Sequence, residues 1–354
     1  MDRFAEQLLA WFETHGRHDL PWQANPTPYR VWVSEIMLQQ TQVQTVVPYY
    51  ERFMTRFAEV QALAGAKLDE VLGLWSGLGY YARARNLHRS ARVIVQDYAG
   101  QLPESLEALL ALPGIGRSTA SAILALARGL RLPILDGNVK RVLARYHAVS
   151  GWTGEAAVER ELWSHADAHT PGRRVREYTQ AIMDLGATLC LRREPVCDSC
   201  PVSAGCRARA AGLQASLPTP RPKRRRGYRI VRGLVIISPA GDVLLERRPE
   251  QGIWGGLYSL PELPDVEAPL EWCRRQLGTR PALSRELDKI AHAFTHFDLE
   301  LTPIELRLDA APSVIMDRGA WLWYNPATPA EIGMAAPVAA FLGRHFGNQQ
   351  RQIA

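Results

Sequence analysis

The hydrophobic pattern of the chain changes abruptly at one stretch, "LPTPRPKRRRGYR" (217–229), which combines prolines with a dense run of positive charge. This composition is typical of a linker. Before it, apolar residues recur at helical spacing almost throughout, whereas after it short apolar runs favour strands mixed with helices. We therefore predict a mainly helical domain over residues 1–215, a basic linker over 216–228 and a smaller α+β domain over 229–346.

The sequence also predicts individual elements. "IVRGLVIISPAGDVLLERR" predicts a β-hairpin with its turn at Pro239–Asp242. "IAHAFTHFDLELTPIELRL" predicts paired strands, and "APLEWCRRQLG" and "APVAAFLGRHF" predict helices. In the larger domain, segments such as "YRVWVSEIMLQQTQV" and "LDEVLGLWSGLG" carry the helical period.

The segment "LPGIGRSTASAIL" (112–124) places two glycines directly before a helix-forming run. Gly114 and Gly116 allow the backbone to take positive φ and allow another backbone to approach closely. The first N–H groups of the following helix lack partners within the helix, so this helix start is suited to binding a phosphate. A tight turn selected only for packing explains the same residues equally well.

Four of the five cysteines lie in one short loop, 190–206, with the spacing C-x6-C-x2-C-x5-C. Four thiolates suit zinc or an iron–sulfur cluster. Structural zinc sites usually contain two C-x2-C pairs, and this loop contains one, so the spacing favours a cluster over zinc and zinc over disulfides. The fifth cysteine, Cys273, is expected to be an ordinary buried residue of its helix. The candidate ligands are Cys190, Cys197, Cys200 and Cys206.

The net charge of +6 and the pI of about 9.2 favour an anionic partner, most commonly nucleic acid, although an ordinary basic enzyme fits the charge equally well. The apolar runs are far shorter than the ~20 residues that span a bilayer. The N-terminal stretch "MDRFAEQLLAWFETHG" has the pattern of an amphipathic helix and not of a signal peptide. We therefore expect a cytoplasmic protein that does not bind a membrane.

Five co-linear motifs resemble the helix-hairpin-helix base-excision DNA glycosylases: "LPWQANPTPYRVWVSEIMLQQTQV", "GLGYYARARNLH", "LPGIGRSTASAIL", "LDGNVKRV" and the cysteine run. The resemblance is closest to the MutY-type adenine DNA glycosylases and extends over the whole chain. It implies a monofunctional enzyme that excises adenine mispaired with 8-oxoguanine, or with guanine, from double-stranded DNA. It also implies a [4Fe–4S] cluster on the four cysteines, and we expect a monomer.

The resemblance makes Glu35 the proton donor to adenine and the residue that activates water. Helical spacing places Glu35 near Val31 and Leu38, an apolar setting that raises a carboxyl pKa. Asp136 lies at an expected helix N-cap, where backbone N–H groups favour the charged form. By resemblance it faces the oxocarbenium charge on the sugar, with Asn138 in support. A helix-start glutamate and a purely capping aspartate are the structural alternatives.

Related glycosylases that also cut the strand, such as endonuclease III, carry a lysine in the position of Ser118. Cleavage by β-elimination needs an amine that forms a Schiff base with the opened sugar, and a hydroxyl cannot form one. Ser118 therefore favours base removal alone over the alternative, an endonuclease III-like oxidised-pyrimidine glycosylase and lyase. Ser118 is expected either to hydrogen-bond Glu35 or the adenine, or to be an ordinary helix-start serine. Lys140 is expected to contact a phosphate.

A base inside a duplex must be flipped out before it meets a buried acid, and protein side chains must fill the gap. By resemblance, Gln40 and Tyr80 intercalate near the opposing base. The other expected DNA contacts are Gln42, Leu78, Arg83, Arg85, Gly114, Gly116 and Lys140. The expected adenine pocket consists of His18, Trp22, Gln23, Gln180 and Met183.

The C-terminal domain resembles the Nudix-like domain of the same family. A Nudix hydrolase binds metal through a glutamate-rich helix, but "EAPLEWCRRQLG" holds only two glutamates at unsuitable spacing. We therefore expect a recognition module and not a second enzyme. "AHAFTHFDL" resembles the loop that probes 8-oxoguanine, which gives that role to Phe294, Thr295 and His296. Many relatives have serine where this chain has Thr295.

Overall fold

The helical period of the first part of the chain produces helices, and the shorter runs after it produce a sheet. The computed structural model describes residues 2–222, 226–294, 297–310, 320–330 and 332–353. Contacts divide the chain into a helical unit, Met1–Gly65 with Asn86–Lys223, and a sheet unit, Ala66–Arg85 with Arg224–Ala354. The segment Ala66–Arg85 thus groups with the C-terminal residues, which differs from the contiguous domain 1–215 expected from the sequence.

Amphipathic helices build the helical unit, because their apolar stripes are stable only when they are buried against one another. Buried aromatic side chains fill its core, among them Phe4, Trp32, Tyr50, Phe53 and Phe57. The α-helices described up to residue 222 are α1 (Arg3–His15), α2 (Pro28–Leu38), α3 (Val43–Arg56), α4 (Val60–Gly65), α5 (Leu68–Leu74), α6 (Ala82–Asp97), α7 (Leu106–Leu110), α8 (Arg117–Arg128), α9 (Gly137–His147), α10 (Ala156–His169), α11 (Val175–Thr188) and α12 (Arg207–Ala210). Helix α5 lies in the sheet unit, and α6 begins there.

The helical period predicted through "YRVWVSEIMLQQTQV" is interrupted. Helix α2 ends at Leu38 and α3 begins at Val43, and Gln40 between them has a positive φ of 59°. The run of polar residues in "LQQTQ" provides no apolar stripe to continue the helix. Gln40 and Gln42 are therefore exposed on a turn and not on a helix face.

The glycine turn joins α7 to α8, and its two glycines differ in their backbone conformation. Gly114 has φ +80°, and a Cβ there would lie 2.8 Å from the Asn86 Cβ. Gly116 has φ −92° and is the N-cap of α8, so the expectation of positive φ holds for Gly114 alone. Among the described residues no side chain caps α8, which leaves its first N–H groups available to a ligand, as the sequence predicts.

A mixed sheet forms the centre of the sheet unit. Its described strands are β1 (Gly227–Ile237), β2 (Val243–Arg247), β3 (Tyr258–Ser259), β4 (Glu262–Leu263), β5 (Pro281–Glu286), β6 (Ile290–Ala293), β7 (Phe297–Leu308) and β8 (Trp321–Tyr324). The main path is β3–β2–β1–β7–β5, with β4 paired to β1, β6 to β7 and β8 to β2. Strands β1 and β7 are parallel, in register from Gly227↔Phe297 to Ile237↔Arg307. Helices α13 (Pro269–Leu277) and α14 (Ala336–Ile353) complete the described elements.

Several predictions for this unit are confirmed. Strands β1 and β2 form the expected hairpin, closed by the Ser238 N–H donating to the Asp242 carbonyl at 2.9 Å, and β6 pairs with β7. Alternate residues of β1 enter two apolar clusters, Val235 in one and Leu234 in the other, so both faces of the sheet are covered. Cys273 is buried in the second cluster. No helix in the described ranges is long and apolar enough to cross a bilayer.

Substitution of Gly114 by alanine tests the turn. The positive φ and the contact with Asn86 together predict a loss of roughly 1–3 kcal/mol in the free energy of unfolding. Gly116→Ala is the matched control, because φ there is ordinary and the space around a Cβ is open. Thermal unfolding should rank Gly114→Ala clearly below Gly116→Ala; equal midpoints would contradict the assigned strain.

Candidate active site

Two carboxyl groups interact at the centre of the helical unit. Glu35 lies in the third turn of α2, whose neighbouring residues Ser34, Ile36 and Met37 are buried. Burial and the nearby charge of Asp136 raise the pKa of Glu35 to about 8. Glu35 therefore holds a proton at neutral pH and is suited to act as a general acid.

Asp136 begins α9 as its N-cap, as the sequence predicts. Its Oδ1 accepts the Val139 N–H at 2.7 Å. Burial nevertheless raises its pKa, while the Val139 N–H and the charge of Arg141 lower it. Capping is therefore one of several influences on the ionisation of Asp136 and does not decide it alone. These N–H and guanidinium groups favour the ionised form of Asp136, whereas burial and the charge of Asp136 both favour the protonated form of Glu35.

Ser118 has a different partner from the ones considered at the sequence level. Ser118 lies in the first turn of α8, and its Oγ accepts the Leu135 N–H at 2.9 Å. Leu135 immediately precedes Asp136, so this bond fixes the backbone from which the capping carboxylate projects. Ser118 thus positions Asp136 in this structure.

Arg141 is a residue that sequence reasoning missed. Its guanidinium donates to the Asn138 Oδ1 at 2.7 Å and to the carbonyls of Gly186 and Cys190, each at 2.6 Å. Asn138 therefore acts through Arg141, and the charge of Arg141 favours ionised Asp136. The signal was available in "LDGNVKRV", where an arginine lies on the same helix as both residues.

The residues expected to form the adenine pocket are largely occupied by local structure. The His18 Nε2 lies 2.9 Å from the Phe12 carbonyl, and Trp22 is buried with its ring edge-on to Tyr50. The side-chain oxygen of Gln23 accepts a backbone N–H within its own turn. The structure thus gives each of these three side chains a structural partner.

A buried ion pair accounts for Gln180. Its Nε2 donates to the Asp184 Oδ1 at 2.8 Å, and Asp184 also binds Arg17 through two guanidinium nitrogens and the backbone N–H. Only 1% of the Asp184 side chain is exposed. The amide of Gln180 completes the solvation of this buried carboxylate, and Met183 remains partly buried on the same helix. Sequence reasoning missed Arg17 and Asp184.

Two predicted DNA contacts in the loop before α6 are internal. Leu78 is only 5% exposed, so it is not presented as a wedge. Arg83 is buried, donates to the carbonyls of Leu78 and Gly79 at 3.4 and 3.1 Å, and has its pKa lowered to about 10 by burial. The expectation that Arg83 contacts phosphate is therefore wrong for this structure, because its guanidinium holds the loop.

Tyr80 and Arg85 have contrasting positions. Tyr80 is 51% exposed and has φ +52°, so its ring is presented to solvent as an intercalating residue requires. Arg85 is partly buried and donates to the Gly255 carbonyl at 2.5 Å, a partner that the sequence did not indicate, and its phosphate contact stays a prediction.

The cations near the glycine turn also differ from expectation. Lys140 pairs with Glu159 at 2.7 Å, so a phosphate would have to compete for its ammonium group. Arg117, which the sequence analysis did not select, is exposed and lies 3.9 Å from the centroid of the Trp163 ring. Arg117 is the first residue of α8, and the Trp163 ring holds its guanidinium.

The four cysteines of the loop line one cavity, together with Arg145 and Tyr146. None of them forms a disulfide. Within the described part of the chain, no three His, Cys, Asp or Glu side chains are placed to hold a single metal ion. Four thiolates that line one cavity are a donor set that suits an iron–sulfur cluster or zinc.

Buried Arg145 supports this interpretation of the cavity. Its guanidinium donates to the Cys190 Sγ at 3.3 Å and to the carbonyls of Leu191 and Leu217 at 2.6 and 2.8 Å. A buried cation directed at a thiol stabilises a thiolate and the negative charge of a group bound to it.

The predicted recognition loop is described only in part. Phe294 stacks on Phe297 with ring centroids 4.6 Å apart, and its ring centroid lies 5.8 Å from that of Trp254. The Phe294 N–H donates to the Phe297 carbonyl at 2.9 Å. Thr295 and His296 lie outside the described residues.

Comparison with known proteins connects this geometry to DNA repair. The chain matches the HhH-GPD superfamily base excision DNA repair protein family over residues 33–167 and the NUDIX domain over 232–344. A Buchnera aphidicola protein (subsp. Acyrthosiphon pisum) named adenine DNA glycosylase is 38% identical over 96% of each chain. The Homo sapiens protein of that name is 33% identical over 94% of this chain and 72% of its own.

Solved structures show the same helical fold. A thermostable thymine-DNA glycosylase is 29% identical, with a TM-score of 0.52 over 59% of this chain and 95% of its own. An endonuclease III in a non-covalent DNA complex is 20% identical, with a TM-score of 0.51 over 60% of this chain and 95% of its own. At that identity the second likeness supports the fold alone.

The raised pKa of Glu35 predicts a pH-dependent effect of Glu35→Gln on stability. Between about pH 4.5 and about pH 8 the folded chain binds one more proton than the unfolded chain, so this group destabilises the protein progressively as pH rises. Glutamine does not titrate. The Tm of Glu35→Gln minus that of the unsubstituted protein should therefore grow from pH 5 to pH 8.

The matched control is Glu51→Gln, on the exposed side of α3. Its Tm difference should stay constant across the same pH range. A constant difference for Glu35→Gln as well would show that Glu35 titrates like a solvated carboxyl.

Proposed function

The chain belongs to the adenine DNA glycosylases, base excision repair enzymes of the HhH-GPD superfamily, and we propose that its substrate is adenine mispaired with 8-oxoguanine, or with guanine, in duplex DNA. The observation that supports a catalytic role most strongly is the proton held by Glu35 beside Asp136. An acid and a carboxylate with separated ionisation are what hydrolysis of a glycosidic bond requires.

In the proposed mechanism, Glu35 donates its proton to a ring nitrogen of the flipped adenine. The bond between C1′ and N9 breaks, its electron pair stays with the base, and adenine leaves as a neutral molecule. The deoxyribose then carries oxocarbenium charge, which the Asp136 carboxylate stabilises. Glu35, now ionised, takes a proton from water while the oxygen of that water bonds to C1′, which restores the acid and leaves an abasic site.

Base removal without strand cleavage is the second part of the proposal. The hydroxyl of Ser118 provides no amine at the position where related lyases carry one, and it is already bonded to the Leu135 N–H. Lys140, on the first turn of α9, is paired with Glu159. These contacts favour a monofunctional glycosylase over the endonuclease III-like alternative.

We further propose that the cysteine loop holds a [4Fe–4S] cluster, bonded to Cys190, Cys197, Cys200 and Cys206. When bound, the cluster supplies a rigid, charged cross-link of the loop. Arg145 donates to the Cys190 Sγ, and Arg141 joins the Cys190 carbonyl to Asn138. Through these two arginines the loop supports the helix that begins at Asp136.

The remaining expectations are retained as proposals. The enzyme acts as a monomer on chromosomal DNA in the cytoplasm, and its net charge of +6 favours association with the phosphate backbone. Gln40, Gln42 and Tyr80 are exposed, as contacts with flipped-out DNA require. Phe294, Thr295 and His296 probe the base opposite adenine.

Single-turnover excision tests the mechanism. With a duplex carrying one 8-oxoguanine·adenine pair, Glu35→Gln should slow adenine release by about 10²–10⁴-fold, because proton donation is lost. Asp136→Asn should slow it by a similar factor, since the developing positive charge loses its counter-charge. Duplex affinity should change little in either variant, and Glu51→Gln should behave like the unsubstituted enzyme. Adenine release at the normal rate from both variants would refute the assignment.

The same duplex distinguishes the alternatives. Strand breaks that appear only after alkali treatment are expected from a monofunctional enzyme. Breaks without alkali would indicate a lyase, and no breaks at all would indicate a non-catalytic DNA-binding protein. Duplexes with guanine·adenine and 8-oxoguanine·cytosine pairs establish which base is removed and opposite which partner.

Metal analysis tests the cofactor. The purified protein should contain four iron and four sulfide ions per chain, and Cys200→Ser should lower both. Cys273→Ser is the matched control, because that thiol is buried in the apolar cluster of the sheet unit and should leave the iron content unchanged. One zinc ion per chain in a colourless protein would contradict the proposal.

A further inference from the structure

The segment Ala66–Arg85 is attached to the C-terminal residues by specific bonds. Asp69 forms an ion pair with Arg247, and the Arg85 guanidinium donates to the Gly255 carbonyl at 2.5 Å. Gly333 packs so closely on this segment that a Cβ there would lie 2.8 Å from the Leu72 Cβ. The segment is therefore fixed to the sheet unit at several separate points.

Loop 252–256, which contains the Gly255 carbonyl that accepts from Arg85, has an unusual backbone. Gly252, Trp254 and Gly256 have φ values of +99°, +55° and +73°. The Arg247 Nε donates to the Gly256 carbonyl at 3.4 Å, so Arg247 contacts this loop while it pairs with Asp69. Trp254 at positive φ is strained, so the loop keeps this conformation only while the contacts around it hold it. Removal of one of these contacts is expected to change the loop.

The same loop contacts Phe294, one of the residues predicted to probe 8-oxoguanine. The Trp254 ring centroid lies 5.8 Å from that of Phe294 and 6.1 Å from that of His292. The loop therefore touches Phe294 through its aromatic residue and Arg85 through its backbone.

The Tyr80 loop is itself rigid. Gly77 and Gly79 have φ values of +95° and +78°, the Trp75 Nε1 donates to the Gly79 carbonyl at 3.1 Å, and Arg83 donates to the same carbonyl. The Arg83 guanidinium also lies 5.4 Å from the Tyr80 ring centroid. Because the loop is stiff, the anchors at Asp69 and Arg85 set the position of Tyr80.

We propose that Asp69, Arg85 and Arg247 are positioning residues for discrimination of the base opposite adenine. They hold the Tyr80 loop against loop 252–256, so that Tyr80 and Phe294 contact that base from fixed relative positions. The inference rests on the proposed function and adds to it the residues that join the two readers. Fixed relative positions raise specificity, because neither aromatic side chain must be ordered separately when the DNA binds.

The test compares single-turnover rate constants and duplex affinities for 8-oxoguanine·adenine and guanine·adenine substrates. Asp69→Asn and Arg247→Gln should each lower the preference for 8-oxoguanine by about 5–20-fold, with little change in the guanine·adenine rate. The double variant should lose no more than Arg247→Gln alone, since that substitution already removes the bond to Asp69. The charge-swapped double variant Asp69→Arg/Arg247→Asp should recover much of the preference.

Arg274→Gln is the matched control, because its pair with Glu271 is an exposed ion pair on α13 of the same unit; the preference should be unchanged. Equal loss on both substrates, additive losses, or an unchanged preference in Asp69→Asn and Arg247→Gln would each overturn the inference. Failure of the proposed function is distinguishable, because the unsubstituted enzyme would then show no preference for 8-oxoguanine.

Discussion

The proton that burial and the nearby charge of Asp136 keep on Glu35 is the constraint on which the proposed chemistry depends. Burial and the charge of Asp136 disfavour ionisation of Glu35, whereas the helix N-terminus and the charge of Arg141 favour ionisation of Asp136. The fold therefore decides which carboxyl is the acid. If the two carboxyl groups had the same ionisation, one could not serve as the acid that protonates the base while the other stabilises the sugar cation.

Backbone anchors keep this pair in place. Ser118 fixes Leu135 immediately before the Asp136 cap, and Arg141 ties the first turn of α9 to α11 and to the cysteine loop. Such contacts explain how a loop of four cysteines is relevant to catalysis without any reacting atom lying in it. The sheet unit uses the same device, in which arginine side chains donate to loop carbonyls at Gly79, Gly255 and Gly256.

Much of this organisation follows from sequence, and the failures have a common physical cause. The helices, the β1–β2 hairpin, the uncapped start of α8 and the Asp136 cap follow from local periodicity and capping. The parallel pairing of β1 with β7 joins distant residues, so no local pattern indicates it. The partners of Arg83 and Gln180 were not indicated by the sequence, because a polar side chain in a motif looks the same whether it meets a substrate, a loop carbonyl or a buried carboxylate.

The most direct test of the central claim is a carbon-13 NMR titration of the Glu35 side-chain carboxyl in the unsubstituted protein and in Asp136→Asn. The account predicts a transition near pH 8 in the unsubstituted protein. It predicts a transition at lower pH in Asp136→Asn, because removal of the neighbouring negative charge eases ionisation of Glu35. A transition near pH 4.5 in both proteins would contradict it.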